Sequence, residues 1–187
     1  MFGMALAIGL VLGVVGCSGD DTSPQSADTP SAATSSTPVT PSATQSQDAS
    51  SAAKVKALAD YKYFVAVWTK GRTSGNPAYP YDQVMTGKAL QMTKSVATAD
   101  DLRGIKATGT VTFLRGSVVA LDLKAKPATA TVRSCELDRM SGVDKKGTQV
   151  YRPGGEVSTE TTMALVGNRW KVSNKAVSGK DEGACAD

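Results

Sequence analysis

Two periodicities organise the chain after residue 53. From Lys54 to Lys70, the residues Val55, Leu58, Tyr61, Val65 and Trp68 recur at steps of three and four, with Lys54, Lys56, Lys62 and Lys70 largely elsewhere. That spacing predicts an amphipathic helix, which Gly71 ends. After a loop through Gly75-Asn76-Pro77 and Pro80, the same stepping returns in Ala89, Met92, Val96, Ala99 and Leu102, with Gly104 as a natural stop. From Thr108 the period falls to two. Val111 and Phe113 alternate with Thr110 and Thr112, Arg115-Gly116-Ser117 offers a tight connection, and Val119, Leu121 and Leu123 alternate with polar neighbours as a second strand. Lys126-Pro127 breaks that strand, and Thr129 to Leu137 forms a third. Asp138 to Gly155 is rich in Gly, Asp and Lys and reads as an exposed excursion, with a turn at Asp144-Lys145-Lys146-Gly147. A fourth strand, Ser158 to Val166, turns through Gly167-Asn168, a two-residue hairpin signal. The fifth runs from Arg169 to Val177 with Trp170 and Val172 on one face. Helices followed by a run of antiparallel strands predict an α+β domain over 54–187, its helices packed on one face of a curved sheet.

The chain before residue 54 is organised differently. Ala5 to Val15 is an apolar run of about eleven residues, the length of a signal-peptide core and too short to span a bilayer. It ends in Val14-Val15-Gly16-Cys17, the pattern of a bacterial lipoprotein signal. Residues 1–16 are then the signal peptide, and Cys17 becomes a lipidated N-terminus on the extracytoplasmic face of the cell membrane. Met1-Phe2-Gly3-Met4 lacks the Lys or Arg with which such a signal opens, which places the expected start codon upstream. Ser18 to Ala53 holds 20 Ser, Thr or Pro among 36 residues and no aromatic residue, so residues 17–53 read as a lipidated cysteine on a disordered tether. Treated as a flexible coil, the tether reaches about 33 Å. Its Ser/Thr-Pro neighbours also suit glycosylation.

Charge is as unevenly distributed as hydropathy. All 21 Lys and Arg and 13 of the 17 acidic residues lie after residue 53, so the domain carries +8 against +4 for the whole chain. Outside a cytoplasmic membrane the polyanions within reach are phospholipid head groups and anionic wall polymers, not nucleic acid. Lys145, Lys146 and Arg152, in the excursion, are the residues placed to meet such a surface. A solvated basic face is the alternative.

Three cysteines become an even pair once Cys17 is assigned to lipid. Cys135 and Cys185, in an oxidising compartment, are expected to form a disulfide closing a loop of about 50 residues. A metal site and a reactive thiol are the alternatives. The chain has no His and no closely spaced Cys pair, so ligands for a transition metal are few and no metal or cofactor is expected.

The order of helix, helix and long meandering strands resembles the cone-shaped nuclear transport factor two superfamily, shared with ketosteroid isomerases and polyketide cyclases. More narrowly, Pro127-Ala128-Thr129-Ala130-Thr131-Val132-Arg133-Ser134-Cys135, Trp170-Lys171-Val172 and the late Cys185 are similar to segments of small actinobacterial secreted lipoproteins of unknown function. In those proteins the third-strand cysteine pairs with one near the C-terminus, which implies the same bridge here. The superfamily's enzymes use a positioned aspartate with a tyrosine or second carboxyl, or a histidine partner. No motif places that set in this chain.

The candidates for acid–base work are carboxylates and tyrosines. Asp122 alternates with Leu121 and Leu123 and reads as solvent-facing. Glu136 and Asp138 border the third strand, with Glu136 pointing away from the Cys135 face. Tyr61, Tyr63 and Trp68 suit either a core or a pocket wall. Three functions compete: a non-catalytic interaction or assembly module of the cell envelope, partnered by the membrane, wall polymer or an envelope protein; a binder of a small apolar ligand; and, third, an isomerase- or cyclase-like enzyme. A filled interior favours the first, an open apolar pocket the second, and a buried carboxyl facing a Tyr in that pocket the third.

Overall fold

The computed structural model describes residues 43–180 and Cys185, all within a unit spanning Thr40–Asp187. Cys17, the signal segment and most of the tether lie outside the described residues. The first helix, α1, runs Ala43–Thr73 and so begins eleven residues before Lys54, inside the stretch read as tether. Ala49, Ala52 and Ala53 favour the helix, no Pro interrupts the chain between Pro41 and Pro77, and Ala53 packs on the core, so helix propagates upstream from the anchored part. Its buried face is Ala57, Tyr61, Phe64 and Val65, while Val55, expected in the stripe, is 72% exposed.

A short 3-10 turn at Tyr81–Gln83 leads into α2, Gly87–Arg103. Gly104 closes α2 in the left-handed region at φ 62°, donating its N–H to Asp101 at 2.9 Å, a conformation that favours glycine. Of the predicted apolar stripe of α2, Ala89 packs against the core and the rest does not. Ala97 and Asp100 are buried, whereas Met92, Val96 and Leu102 are exposed.

The strands are β1 Lys106–Thr108, β2 Val111–Asp122, β3 Thr129–Asp138, β4 Ser141–Val143, β5 Gln149–Tyr151, β6 Gly155–Val166 and β7 Arg169–Lys180. They form two antiparallel sheets, a four-stranded one in the order β2-β3-β6-β7 and a three-stranded one in the order β1-β4-β5. Both helices pack on the larger sheet, burying Trp170, Val172, Met163, Val132 and Ala130 from its inner face. The backbone N–H of Trp170 donates to Asp60 of α1 at 2.9 Å, and Val172 exchanges backbone hydrogen bonds with Val84 and Thr86.

Three departures from the period-two reading matter. The first two predicted strands are one: Arg115-Gly116-Ser117 is not a connection but the middle of β2. Bulges between Phe113 and Arg115 and between Val118 and Ala120 expel Leu114 and Val119 outward, each 47% exposed. Gly116 permits the close approach to β3, since a Cβ there would meet the Arg133 carbonyl at 2.7 Å. The excursion supplies β4, which pairs with β1, and β5, which pairs with β4; its turn at Asp144–Gly147 forms as the sequence predicts. Finally, β7 carries a bulge opposite Thr162/Met163 that passes over Ser173 and reverses the facing of the residues after it.

Candidate functional site

The reversal in β7 brings a charge to the inner face. Counting by twos from Trp170 and Val172 puts Lys175 outside; after the bulge it points inward, opposite Thr161 of β6. There it meets Glu136 of β3, whose side chain is 4% exposed, through bonds of 2.9 and 2.8 Å to the two carboxylate oxygens. Glu136 shares the inner face of β3 with Ala130, Val132 and Ser134, and Cys135 faces the other way. Tyr61, wholly buried on α1, donates its hydroxyl to the same Glu136 oxygen. Ser134 lies 2.9 Å from the Tyr61 hydroxyl, 3.2 Å from Glu136 and 2.8 Å from Thr159, and Thr161 reaches the Tyr61 oxygen at 3.4 Å.

This network is closed on itself. One Glu136 oxygen accepts from Tyr61, Ser134 and Lys175, and the other accepts from Lys175. Burial pushes the Lys175 ammonium down, but Tyr61 and Glu136 push it further up, so it titrates above the ordinary lysine range. The ammonium also sits 5.8 Å from the ring centre of Tyr61 and 5.4 Å from that of Phe64. With two N–H groups on Glu136 and a side chain 25% exposed, Lys175 keeps one donor for whatever stands in front of it.

In front of it is a cavity of about 280 Å³ between the helices and the inner face of the sheet. Phe64 and Trp68 of α1, Met85, Ala89 and Met92 around α2, and Val157, Val172 and Val177 of the sheet supply its apolar wall. Thr93, Glu136, Asp138, Thr159, Asn174 and Lys175 supply its polar floor and rim. The interior therefore holds both an open apolar pocket and a buried carboxyl facing a tyrosine.

A second polar cluster ties the helices to the smaller sheet. Arg72 of α1 lies 2.7 Å from Asp100 of α2, with side chains only 9% and 12% exposed, and Tyr151 of β5 donates to the other Asp100 oxygen. The Arg72 guanidinium stacks over the Tyr151 ring at 5.3 Å. Burial opposes the Arg72 charge, but Tyr151 and Asp100 hold it above its ordinary value; burial likewise raises Tyr151. The buried Tyr81 hydroxyl beside this cluster has no hydrogen-bond partner among the described residues and is pushed up by its burial.

Asp138, the last residue of β3, lines the cavity at Lys175 as well, and the remaining residues singled out in the sequence lie outside it. Cys135 and Cys185 are bridged, with Cα atoms 5.4 Å apart. The bridge lies on the outer face of the large sheet, where Arg115 donates to the Cys185 carbonyl. Lys145 and Lys146 are exposed on the β4–β5 turn, with the Lys145 stem lying across Gly104. Arg152, just past β5, is exposed and lines an adjoining cavity with Trp68, Arg72 and Tyr151. Asp122 faces solvent and accepts from the N–H groups of Lys124 and Ala125. Sequence reasoning named Glu136 and Tyr61 separately and missed Lys175, Ser134, Thr159 and Thr161. The available signal was polar residues at the inward positions of β3 and β6.

Among the described residues, no helix is long and apolar enough to cross a membrane, and no three His, Cys, Asp or Glu cluster as metal ligands would. No family model matches the chain, and no curated protein matches it. Among solved structures, the intermembrane-space region of the chloroplast protein ARC6 is similar to it, at 17% identity and a TM-score of 0.42, over 63% of this chain and 92% of that one. A likeness that low carries no argument about function.

Proposed function

We propose that the domain is a non-catalytic binding module, displayed outside the cytoplasmic membrane on a lipid-anchored tether, whose inner cavity takes a small, largely apolar ligand. The cavity beside Lys175 carries this reading: its apolar wall is open to solvent, and its polar groups are few and fixed in place. Within the superfamily of cone-shaped folds, the same buried carboxyl facing a tyrosine would suggest isomerase or cyclase chemistry. What speaks against that is the engagement of Glu136, both of whose oxygens are taken by Lys175, with Tyr61 and Ser134 adding to one of them. A general base needs an oxygen free for the substrate proton. The cavity supports the ligand binder over the purely structural assembly module, and Cys17 with its apolar leader supports the location.

A neutral, environment-sensitive dye such as Nile red, titrated into the full chain, tests the binding claim. Ala89 lines the cavity and is half-buried, so Ala89→Trp fills it from the α2 side. The wild type should bind the dye with saturation, and Ala89→Trp should lose at least tenfold in affinity at an unchanged unfolding midpoint. Equal binding by both would overturn the reading.

A further inference from the structure

The cavity at Lys175 does not end at its own rim. A second chamber of about 480 Å³ shares Trp68, Met92, Thr93 and Asp138 with it, so the two form one groove along the α1–α2 side of the sheet. Met92 and Val96, on the face of α2 that the core leaves uncovered, are 57% and 43% exposed along this outer chamber. Its charged side chains are Arg72, Arg152 and Asp138. Arg72 is committed to Asp100, and Asp138 accepts the backbone N–H of Met140 at 2.8 Å. Arg152 has no ion-pair or hydrogen-bond partner among the described residues.

From these placements we infer that the groove takes a single-chain amphiphile with an anionic head, the head at Arg152 and the chain running past Trp68 and Met92 into the inner cavity. This rests on the proposed binding function and adds to it the length, polarity and orientation of the ligand. The apolar lining continues from Phe64 and Met85 of the inner cavity through Trp68 and Met92 to Val96, Met140 and Val150 of the outer chamber, a run that a long chain covers. Among the described residues, Arg152 is the cation of this outer end without an ion-pair or hydrogen-bond partner. Although Asp138 lies in the same lining, where the chambers meet, Arg152 favours an anion at the outer end, in a domain already carrying +8. At the inner end, the Lys175–Glu136 pair is mutually neutralised and offers no competing net charge.

Calorimetric titration of the full chain with a C16 carboxylate, its methyl ester and a C8 carboxylate, each below its aggregation limit, tests the inference. The C16 acid should bind at least tenfold tighter than either comparison compound. Arg152→Ala should erase the acid's advantage over the ester without moving the ester's own affinity. An alkyl phosphate of the same length should behave as the C16 acid does, marking the anion and not the carboxylate as the feature read. Equal binding of acid and ester, or an Arg152→Ala variant that keeps the preference, overturns this inference. If Nile red still binds in the inner cavity in that case, the proposed function survives without it. If neither dye nor amphiphile binds, both fall.

Discussion

Lys175→Met is the sharpest perturbation of the interior. It removes the cation that holds Glu136, a carboxylate with a 4% exposed side chain, and leaves the Tyr61 and Ser134 hydroxyls as its remaining donors. Breaking a buried pair by deleting one partner costs about 3–5 kcal/mol. Because the Lys175 side chain is 25% exposed to the cavity, water can reach the stranded charge, so the expected cost lies near the lower end, about 3 kcal/mol. Against a typical domain stability of about 5–15 kcal/mol, this is a large shift in urea midpoint. The assay is urea unfolding of wild type, Lys175→Met, Glu136→Gln and the double variant. The double variant buries no charge and should recover at least half of the Lys175→Met loss. pH supplies an independent check. The Lys175 pKa is raised on folding, so its stabilisation is complete below the ordinary lysine value of about 10.4 and is lost as pH rises through the higher folded value. Wild type should therefore weaken in that alkaline window more than Lys175→Met does. A cost below about 1 kcal/mol, or a double variant as unstable as the sum of the singles, would refute the closed network.

The remaining predictions touch other parts of the molecule. Breaking the Cys135–Cys185 bridge by Cys185→Ser should cost about 4 kcal/mol in the loop-entropy picture for a separation of 50 residues, read from thermal unfolding with and without reductant. Asp100→Ala strands the nearly buried Arg72 guanidinium and should cost about 3–5 kcal/mol, whereas the exposed Asp122→Ala should cost well under that in the same unfolding series. Cys17→Ser should release the protein from the membrane fraction of cells producing it, and protein that stays membrane-bound would remove the lipid anchor. The basic surface carrying Lys145 and Lys146 should retain the full chain on anionic vesicles at low salt and release it near 0.5 M, where screening shortens to about 4 Å; retention that ignores salt would dismiss the electrostatic contact.

Much of this fold is readable from the order of its periodicities. Both helices, the third, fourth and fifth strands and the Asp144–Gly147 and Gly167-Asn168 turns emerge from spacing and turn chemistry, and the Cys135–Cys185 bridge from the cysteine count and the family resemblance. What fails is parity. Period-two counting assumes an unbroken pleat, and each bulge resets it. That is why Leu114 and Val119 sit outside, why β2 reads as two strands, and why Lys175 appears to face solvent when it holds the interior carboxylate. In α2 the apolar stripe is misleading for another reason. The helix buries Asp100 toward Arg72 and Tyr151, and so turns Met92 and Val96 onto the groove. An apolar residue left off the core is silent in sequence until something shows what it faces. Glu136 was legible as opposite to Cys135, but the partners that decide its chemistry come from α1, β6 and β7.

The central claim is that the cavity between α1, α2 and the large sheet is a ligand site, and methyl-resolved NMR of the full chain measures it most directly. On titration with a C16 carboxylate, the methyl signals of Met85, Ala89, Met92 and Val172 should shift together and saturate, while those of Val119 and Val166, exposed elsewhere on the large sheet, stay in place. Shifts confined to Val119 and Val166, or spread over the surface without saturation, would contradict the account.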